Sequence, residues 1–176
     1  MRIVAGSRKG ARIFAPKGAG TRPTSDRVRE ALFSILGPVD GLQVLDLFAG
    51  SGALGLEALS RGAASAVFVE ADRAAVLTIE RNVEKLDLPG ATVKRTESLR
   101  YLATAQETYD LVFLDPPYEL VESLRMPLAT NLPRVLGAGG TVVVETAADV
   151  ELDLTLPVRT SRRYGSTRVT IFEAAT

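Results

Sequence analysis

The chain has 176 residues, of which 46% are hydrophobic and 24% charged, so it is long enough for one globular domain with a sizeable core. It contains no cysteine and no histidine, which excludes disulfides, thiolate metal sites, cysteine nucleophiles and an imidazole general base. Its chemistry must therefore use carboxylates, hydroxyls, backbone groups or a cofactor. We expect a cytoplasmic protein, because the N-terminus lacks the apolar run of a signal peptide and no stretch approaches the ~18 apolar residues of a membrane span.

A net charge of zero hides an uneven distribution of charge. Residues 1–30 carry eight Lys or Arg against two acidic residues, and residues 159–168 carry four arginines and no acid, whereas residues 31–158 carry 9 basic and 18 acidic residues. A basic face built from both chain ends would suit RNA, although a solvated surface without a partner explains the charges equally well. The residues predicted to contact RNA are Arg2, Arg8, Lys9, Arg12, Arg162, Arg163 and Arg168.

The first elements are predicted to be an arm and a helix. Residues 1–20 form an irregular or hairpin-forming arm, because two short apolar pieces, Ile3-Val4 and Ile13-Phe14, flank glycines. Thr24 or Ser25 can cap a helix with apolar residues at helical spacing, which a Gly-Pro pair at 37–38 ends. We therefore assign residues 1–38 to a basic arm and helix, and residues 39–176 to the main domain.

Strands and helices alternate after residue 41. The predicted strands are 43–48, 66–70, 92–94, 111–114 and 141–145, and the predicted helices are 53–60, 73–85, 99–105 and 120–136. Pro127 and Pro133 should kink or shorten the last helix. This alternation predicts an α/β fold with a mostly parallel sheet and helices on both faces. Two final strands, near 157–164 and 168–173, predict an antiparallel pair at one edge of a seven-stranded sheet.

A glycine-rich loop follows the first strand of the main domain. Gly50, Gly52 and Gly55 have the spacing of a dinucleotide-binding turn, and Glu70 ends the next strand, where a carboxylate can accept hydrogen bonds from ribose hydroxyls. NAD and S-adenosylmethionine both suit this geometry. Asp46 favours S-adenosylmethionine, because a carboxylate before the turn would repel a pyrophosphate but suits a cationic methionyl group. The alternative is a tight turn without a ligand.

A second motif, Asp115-Pro116-Pro117-Tyr118, follows the apolar strand 111–114. Two prolines stiffen the backbone and remove two N–H donors, so the carbonyls there are free to accept. The Asp115 carboxylate and the Pro116 carbonyl can each take one N–H of an exocyclic base amine, and Tyr118 offers a ring on which a flipped-out base can stack. The two motifs together therefore predict methyl transfer to an amino group, which depends on positioning more than on a base tuned to neutral pH.

Three blocks of sequence resemble the RsmD family: residues 22–33 (RPTSDRVREALF), residues 46–63 (DLFAGSGALGLEALSRGA) and residues 113–118 (FLDPPY). The resemblance extends over nearly the whole chain. It implies a Rossmann-like class I methyltransferase fold and a methyltransferase that uses S-adenosyl-L-methionine to modify N2 of a guanine in bacterial 16S rRNA. It also implies an assembling small ribosomal subunit as substrate, and we expect a monomer that needs no metal and no membrane.

The resemblance also implies roles for individual residues. Residues 115–118 would grip the guanine, and residues 22–29 would close over the cofactor. The family usually has an aspartate near adenine at the end of the third strand, where this chain has Thr96-Glu97-Ser98-Leu99, so Ser98 or the backbone would contact adenine instead. The residues expected to bind the cofactor are Arg22, Thr24, Asp46, Phe48, Ala49, Gly50, Ser51, Gly52, Glu70, Ala71, Asp72, Ser98 and Leu99.

Three other functions fit parts of the sequence. The Asp-Pro-Pro-Tyr motif also serves DNA adenine-N6 methyltransferases, although these usually carry a target-recognition domain for which 176 residues leave little room. A non-catalytic RNA-binding assembly factor with a vestigial cofactor pocket is a further alternative. An NAD oxidoreductase is disfavoured by Asp46.

Overall fold

A computed structural model describes residues 1–16 and 25–174, so the predicted cofactor residues Arg22 and Thr24 lie outside the described residues. The helices are α1 (Asp26–Leu36), α2 (Ala53–Ser60), α3 (Arg73–Leu86), α4 (Ser98–Thr104) and α5 (Val121–Val135), with a short 3-10 helix at Tyr118–Leu120. The strands are β1 (Gln43–Leu47), β2 (Ser65–Glu70), β3 (Ala91–Arg95), β4 (Tyr109–Leu114), β5 (Leu136–Ala147), β6 (Val158–Tyr164) and β7 (Thr167–Glu173).

The seven strands form one sheet in the order β3-β2-β1-β4-β5-β7-β6. The first five strands of this order are parallel, and β7 runs antiparallel to both β5 and β6. The predicted mostly parallel sheet with an antiparallel edge is therefore confirmed. The order places β1 beside β4, where it changes direction, and open α/β sheets bind ligands at the carboxyl ends of strands at such a point.

Each face of the sheet has its own apolar core. The arm, α1, α2 and α3 pack on one face, where Ile3, Leu32 and Ile79 are at most 2% exposed, and α4 and α5 pack on the other face around Leu102 and Leu128. No helix among residues 1–16 and 25–174 is long and apolar enough to cross a membrane. The arm and α1 share a core with the sheet, and the division between residues 38 and 39 stays a prediction.

Local sequence explains where the helices begin. Ser25 caps α1, since its side chain accepts a hydrogen bond from Val28 N–H, and Asp72 caps α3 by accepting from Ala75 N–H at 2.8 Å. Gly37 follows α1 with a φ of 83°, a left-handed conformation that favours glycine. These signals agree with the predicted boundaries.

The two prolines in the helix predicted for residues 120–136 are expected to kink or shorten it; shortening is wrong, and a kink stays a prediction. Helix α5 runs from Val121 to Val135 with Pro127 and Pro133 inside it. Its buried residues, Val121, Leu124, Leu128, Leu132 and Val135, recur at helical spacing and pack against the sheet. Burial of this apolar face outweighs the two backbone hydrogen bonds that proline cannot donate.

The arm is docked on α2 through a buried carboxylate. It closes on itself with an antiparallel bridge between Arg2 and Arg12, in agreement with the predicted hairpin. Glu57 of α2 is fully buried and accepts from the N–H groups of Val4 (2.8 Å) and Ala5 (2.9 Å). The same carboxylate forms salt bridges with Arg29 and Arg61, so it fixes the arm and α1 together.

Candidate active site

Three acidic side chains lie at the carboxyl ends of three neighbouring strands. Asp46 lies near the end of β1, Asp115 directly follows β4, and Glu145 lies near the end of β5. Leu114 pairs with Val144 in the sheet, so Asp115 and Glu145 each lie one residue beyond this pair and are neighbours. Adjacent strands are about 4.8 Å apart, so the three side chains share one small region of the sheet edge.

The glycine loop adopts the conformation that its sequence requires. Phe48, Gly50 and Gly52 have φ values of 61°, 56° and 77°, and a positive φ at a non-glycine residue such as Phe48 is uncommon. A Cβ on Gly50 would meet only one carbonyl oxygen, at 4.0 Å, so a ligand has room to approach the backbone there. A Cβ on Gly55 would lie 2.4 Å from the ring of Phe68, so this glycine allows α2 to pack on β2.

Two further contacts hold the loop in place. Ala49 N–H donates to the carbonyl oxygen of Val69 at 3.1 Å, which ties the loop to β2. The carbonyl oxygen of Ser51 accepts from the side-chain amide of Asn82 at 3.0 Å, which ties it to α3. Asn82 is fully buried. The predicted loop residues are thus brought together on a backbone fixed from two sides.

Asp46 is buried and links the end of β1 to helix α2, which follows the glycine loop. Its Oδ2 accepts from Gly55 N–H at 3.0 Å, and the side chain is 2% exposed. Burial raises the pKa of Asp46 to about 8, against the lowering effect of the Gly55 hydrogen bond, and the charge of Glu70 raises it further. A nearby cation would lower the pKa of this buried carboxyl, because a positive charge would stabilise its ionised form.

Glu70 bridges the two loops that follow β1 and β2. Its Oε2 accepts from Gly50 N–H and its Oε1 from Asp72 N–H, each at 2.9 Å. Asp72 is exposed and caps α3, and Ala71 is exposed beside it. Both oxygens of Glu70 therefore already accept backbone hydrogen bonds, so contact with a ribose, the role predicted for it, would add to or replace these bonds.

Asp115 lies beside the other carboxylates of the edge. Its pKa is raised well above the ordinary value by burial first, then by the charges of Glu145 and Asp46. Pro116 is buried and Pro117 half-buried, whereas Tyr118 is 46% exposed. The turn thus combines a carboxyl that holds its proton tightly, a stiff buried backbone and an accessible aromatic ring.

Glu145 was missed by the sequence analysis. It is only 5% exposed and its charge raises the pKa of Asp115. The signal was present in the sequence, because Glu145 is the last residue of the predicted β-branched strand 141–145, just as Glu70 is the last residue of the predicted strand 66–70. Its importance depends on β5 lying beside β4, which is a matter of strand order.

The residues predicted to lie near adenine follow β3. Ser98 is 5% exposed and is the first residue of α4, and Leu99 is half-buried. Thr96 N–H donates to the carbonyl oxygen of Glu70 at 3.1 Å, which places this segment beside the end of β2. The segment therefore lies at the same edge of the sheet as Glu70, and both the adenine pocket and the contact with adenine stay predictions.

The predicted RNA-contacting residues divide into two groups. Arg8 donates to two carbonyls at the C-terminal end of α3, and Arg168 is 8% exposed and pairs with Glu151 at 2.8 Å. Both side chains are thus engaged within the protein. Five of the predicted residues are exposed: Arg2, Lys9, Arg12, Arg162 and Arg163.

The carboxyl groups and the open glycine loop at this edge of the sheet suit S-adenosylmethionine. The carboxyls of Asp46, Asp115 and Glu145 oppose a pyrophosphate and favour a cation such as a sulfonium, and the open space at Gly50 admits a ligand to the loop. Within residues 1–16 and 25–174, no group of three or more His, Cys, Asp and Glu side chains is arranged to hold a metal ion.

The chain is similar to known proteins over nearly its whole length. The family model described as Conserved hypothetical protein 95 matches residues 1–173. YlbH of Bacillus subtilis (strain 168) is 40% identical over 181 residues, covering 98% of this chain and 98% of that protein. The ribosomal RNA small subunit methyltransferase D of Escherichia coli (strain K12) is 45% identical over 119 residues, covering 67% of this chain and 60% of that protein.

A solved structure extends the comparison to the fold. The Thermus thermophilus 16S rRNA N2 methyltransferase RsmC, solved in complex with AdoMet and guanosine, has a TM-score of 0.72 and 25% identity, covering 91% of this chain and 45% of that chain. Together with the family model, these matches show that the chain belongs to the RsmD family, the family of the ribosomal RNA small subunit methyltransferase D proteins, and has the Rossmann-like methyltransferase fold.

Proposed function

We propose that this protein transfers the methyl group of S-adenosylmethionine to the exocyclic N2 of a guanine in 16S rRNA, with the assembling small ribosomal subunit in the cytoplasm as substrate. The observation that carries the proposal is the position of Asp115-Pro116-Pro117-Tyr118, which directly follows β4 beside the glycine loop that follows β1. The names of the Escherichia coli relative and of the Thermus thermophilus structure support the substrate class.

The cofactor would lie on the glycine loop. Asp46 and residues 48–52 would hold its methionyl part, Glu70 its ribose, and Ala71, Asp72, Ser98 and Leu99 its adenine. When bound, S-adenosylmethionine supplies an activated methyl group, which passes to the amine nitrogen as the carbon–sulfur bond breaks and leaves S-adenosylhomocysteine. The raised pKa of Asp46 supports this assignment, because a cation would relieve the cost of ionising a buried carboxyl.

The Asp115 turn would hold the target amine. The carboxyl of Asp115 would accept one N–H and the carbonyl of Pro116 the other, which directs the nitrogen lone pair towards the methyl group. The methylated nitrogen loses one proton, which Asp115 or water takes up. Only the ionised form of Asp115 can accept it, and the cation of the bound cofactor would favour that form, against the burial and the neighbouring carboxylates that raise the pKa of Asp115. Tyr118 is 46% exposed, so its ring is accessible to a flipped-out base.

Methyl transfer to ribosomal particles tests the proposal. The protein is incubated with labelled S-adenosylmethionine and small subunits from cells that lack the endogenous enzyme, with duplex DNA as a parallel substrate. We expect label in guanine N2 of 16S rRNA, located by mass spectrometry, and none with Asp115→Ala. Label confined to DNA would instead favour an adenine-N6 methyltransferase. RNA binding without turnover would favour a non-catalytic assembly factor.

A further inference from the structure

The arm meets α3 at a small basic surface, of which the sequence analysis identified Arg12 but not the residues of α3. We call it the arm–α3 seam and define it by Arg12 and Phe14 of the arm and Arg81 and Lys85 of α3. We propose that the arm–α3 seam binds the phosphate backbone of the substrate RNA. The proposal rests on the proposed function and adds α3, from the acidic middle of the sequence, to the RNA-binding surface.

Two cations of the seam are held against one aromatic ring. The guanidinium carbon of Arg81 lies 3.9 Å from the centroid of the Phe14 ring, and the ammonium of Lys85 lies 4.7 Å from it. Lys85 also donates to the carbonyl oxygen of Arg12 at 2.6 Å. The ring and the carbonyl fix both charges in position, so little side-chain freedom remains to be lost when a partner binds.

This arrangement brings like charges together. Arg81 and Lys85 are four residues apart on α3, where like charges destabilise a helix, and Arg12, whose carbonyl accepts from Lys85, is exposed. Glu84 is exposed on the same helix, yet within the described part of the chain neither cation forms a salt bridge with it or with any other carboxylate. A polyanion would relieve this repulsion.

Two further basic residues of the arm lie towards the C-terminal end of α3. Arg8 is bonded to the carbonyls of Leu86 and Asp87 at the end of α3, and Lys9 is exposed beside it. Arg81 and Lys85 are held in position beside these residues, several cations along one surface match the repeating charge of a nucleic-acid strand, and arginine can donate two hydrogen bonds to a phosphate. The seam therefore suits an RNA backbone.

Asn82 connects the seam to the cofactor loop. Its Oδ1 accepts from Phe14 N–H at 2.7 Å, and its amide nitrogen donates to the carbonyl oxygens of Phe14 and Ser51, each at 3.0 Å. The seam therefore lies against the glycine loop, on the face of the sheet that carries α1, α2 and α3. RNA held there would pass close to the proposed cofactor, whereas the α4–α5 face lies across the sheet.

The test removes the two charges from α3. The variant Arg81→Gln/Lys85→Gln is compared with Arg100→Gln/Arg134→Gln, which removes the same charge from exposed positions of α4 and α5. Binding of 16S rRNA is measured from about 50 to 200 mM salt, because each phosphate contact contributes about 0.7–0.9 to the slope of log K against log salt. Thermal unfolding and calorimetry with S-adenosylmethionine check the fold and the cofactor site.

We expect the seam variant to lower the magnitude of the slope by about 1.5 and to raise KM for small subunits, while kcat and cofactor affinity stay within about twofold. The control pair should match the wild type, and the charge-preserving variant Arg81→Lys/Lys85→Arg should keep the slope.

An unchanged slope in the seam variant overturns the proposal, and a raised KM with an unchanged slope points to a ribosomal protein instead. Absence of methylation by the wild type would overturn the proposed function, and the RNA-binding slope would still decide the role of the seam.

Discussion

Replacing Asp46 with asparagine should make the cofactor-free protein more stable, and the gain should grow as the pH rises. Burial raises the pKa of Asp46 from 3.8 to about 8, the Gly55 hydrogen bond lowers it, and the charge of Glu70 raises it. The folded chain thus keeps a proton that the unfolded chain releases above about pH 4. Because the folded-state pKa is the higher one, the free energy of unfolding falls as the pH rises from about 4 to about 8.

The size of the effect follows from one linked proton. Such a proton changes the free energy of unfolding by at most about 1.4 kcal/mol per pH unit, or about 2.7 kcal/mol between pH 5 and pH 7. Water entry and small shifts of the loop relieve part of the cost of a buried charge, so we expect about 1 to 2 kcal/mol. Asparagine keeps an oxygen that can accept from Gly55 N–H but does not ionise, so the variant avoids this loss.

Urea unfolding at pH 5 and pH 7 measures the effect for the wild type, Asp46→Asn and the control Asp149→Asn, whose side chain is exposed after β5. The stability gap between Asp46→Asn and the wild type should widen by about 1 to 2 kcal/mol at the higher pH, and the control should show no such change. A gap that stays constant, or a variant that is less stable at both pH values, would refute the reasoning. Calorimetry should show weaker binding of S-adenosylmethionine by Asp46→Asn, since its cation loses a partner.

Three further substitutions test the site and its supports. Asp115→Ala should lower the rate of methyl transfer, measured by label incorporation, by at least about 100-fold. Calorimetry should show an S-adenosylmethionine affinity within about threefold of the wild type. An equal loss of cofactor affinity in Asp115→Ala and Asp46→Asn would contradict their separate roles. Gly55→Ala should destabilise the protein by about 1 to 3 kcal/mol in urea, because the new Cβ would lie 2.4 Å from the Phe68 ring, and a neutral result would show that the ring moves freely. Glu57→Gln should destabilise the protein by about 3 to 5 kcal/mol, because the substitution removes the carboxylate that pairs with the buried Arg29. A loss below about 1 kcal/mol in the same assay would show that the charge of Glu57 is dispensable.

Much of the site could be predicted because it depends on local sequence. The spacing of Gly50, Gly52 and Gly55 fixes a turn, and an apolar strand followed by an Asp-Pro-Pro turn predicts a strand end. Parallel strands bring their carboxyl ends to one edge of a sheet, so Asp46 and Asp115 could be placed together before any distance was known. The end of α1 and the cap at Ser25 also follow from residues next to them in the chain.

The missed features depend on contacts between residues far apart in the sequence. Glu145 matters because β5 pairs with β4, and Asn82 matters because Phe14, 68 residues away, lies against it. Arg8 was predicted to contact RNA from its charge alone, but its guanidinium donates to two carbonyls at the end of α3, a contact that the sequence does not reveal. Helix α5 tolerates Pro127 because burial of a whole helix face, rather than local propensity, decides its length.

The position of β7 between β5 and β6 has a consequence for how the chain is made. Strand β6 precedes β7 in the sequence, and among residues 1–16 and 25–174 it pairs with β7 alone. The buried side chains of Val169 and Ile171 in β7 complete the core that contains Val143. During synthesis, β6 must therefore leave the ribosome before its partner strand exists. The edge of β5 with which β7 later pairs stays unpaired over the same interval, so the part of the sheet that carries Arg162 and Arg163 forms after the parallel strands.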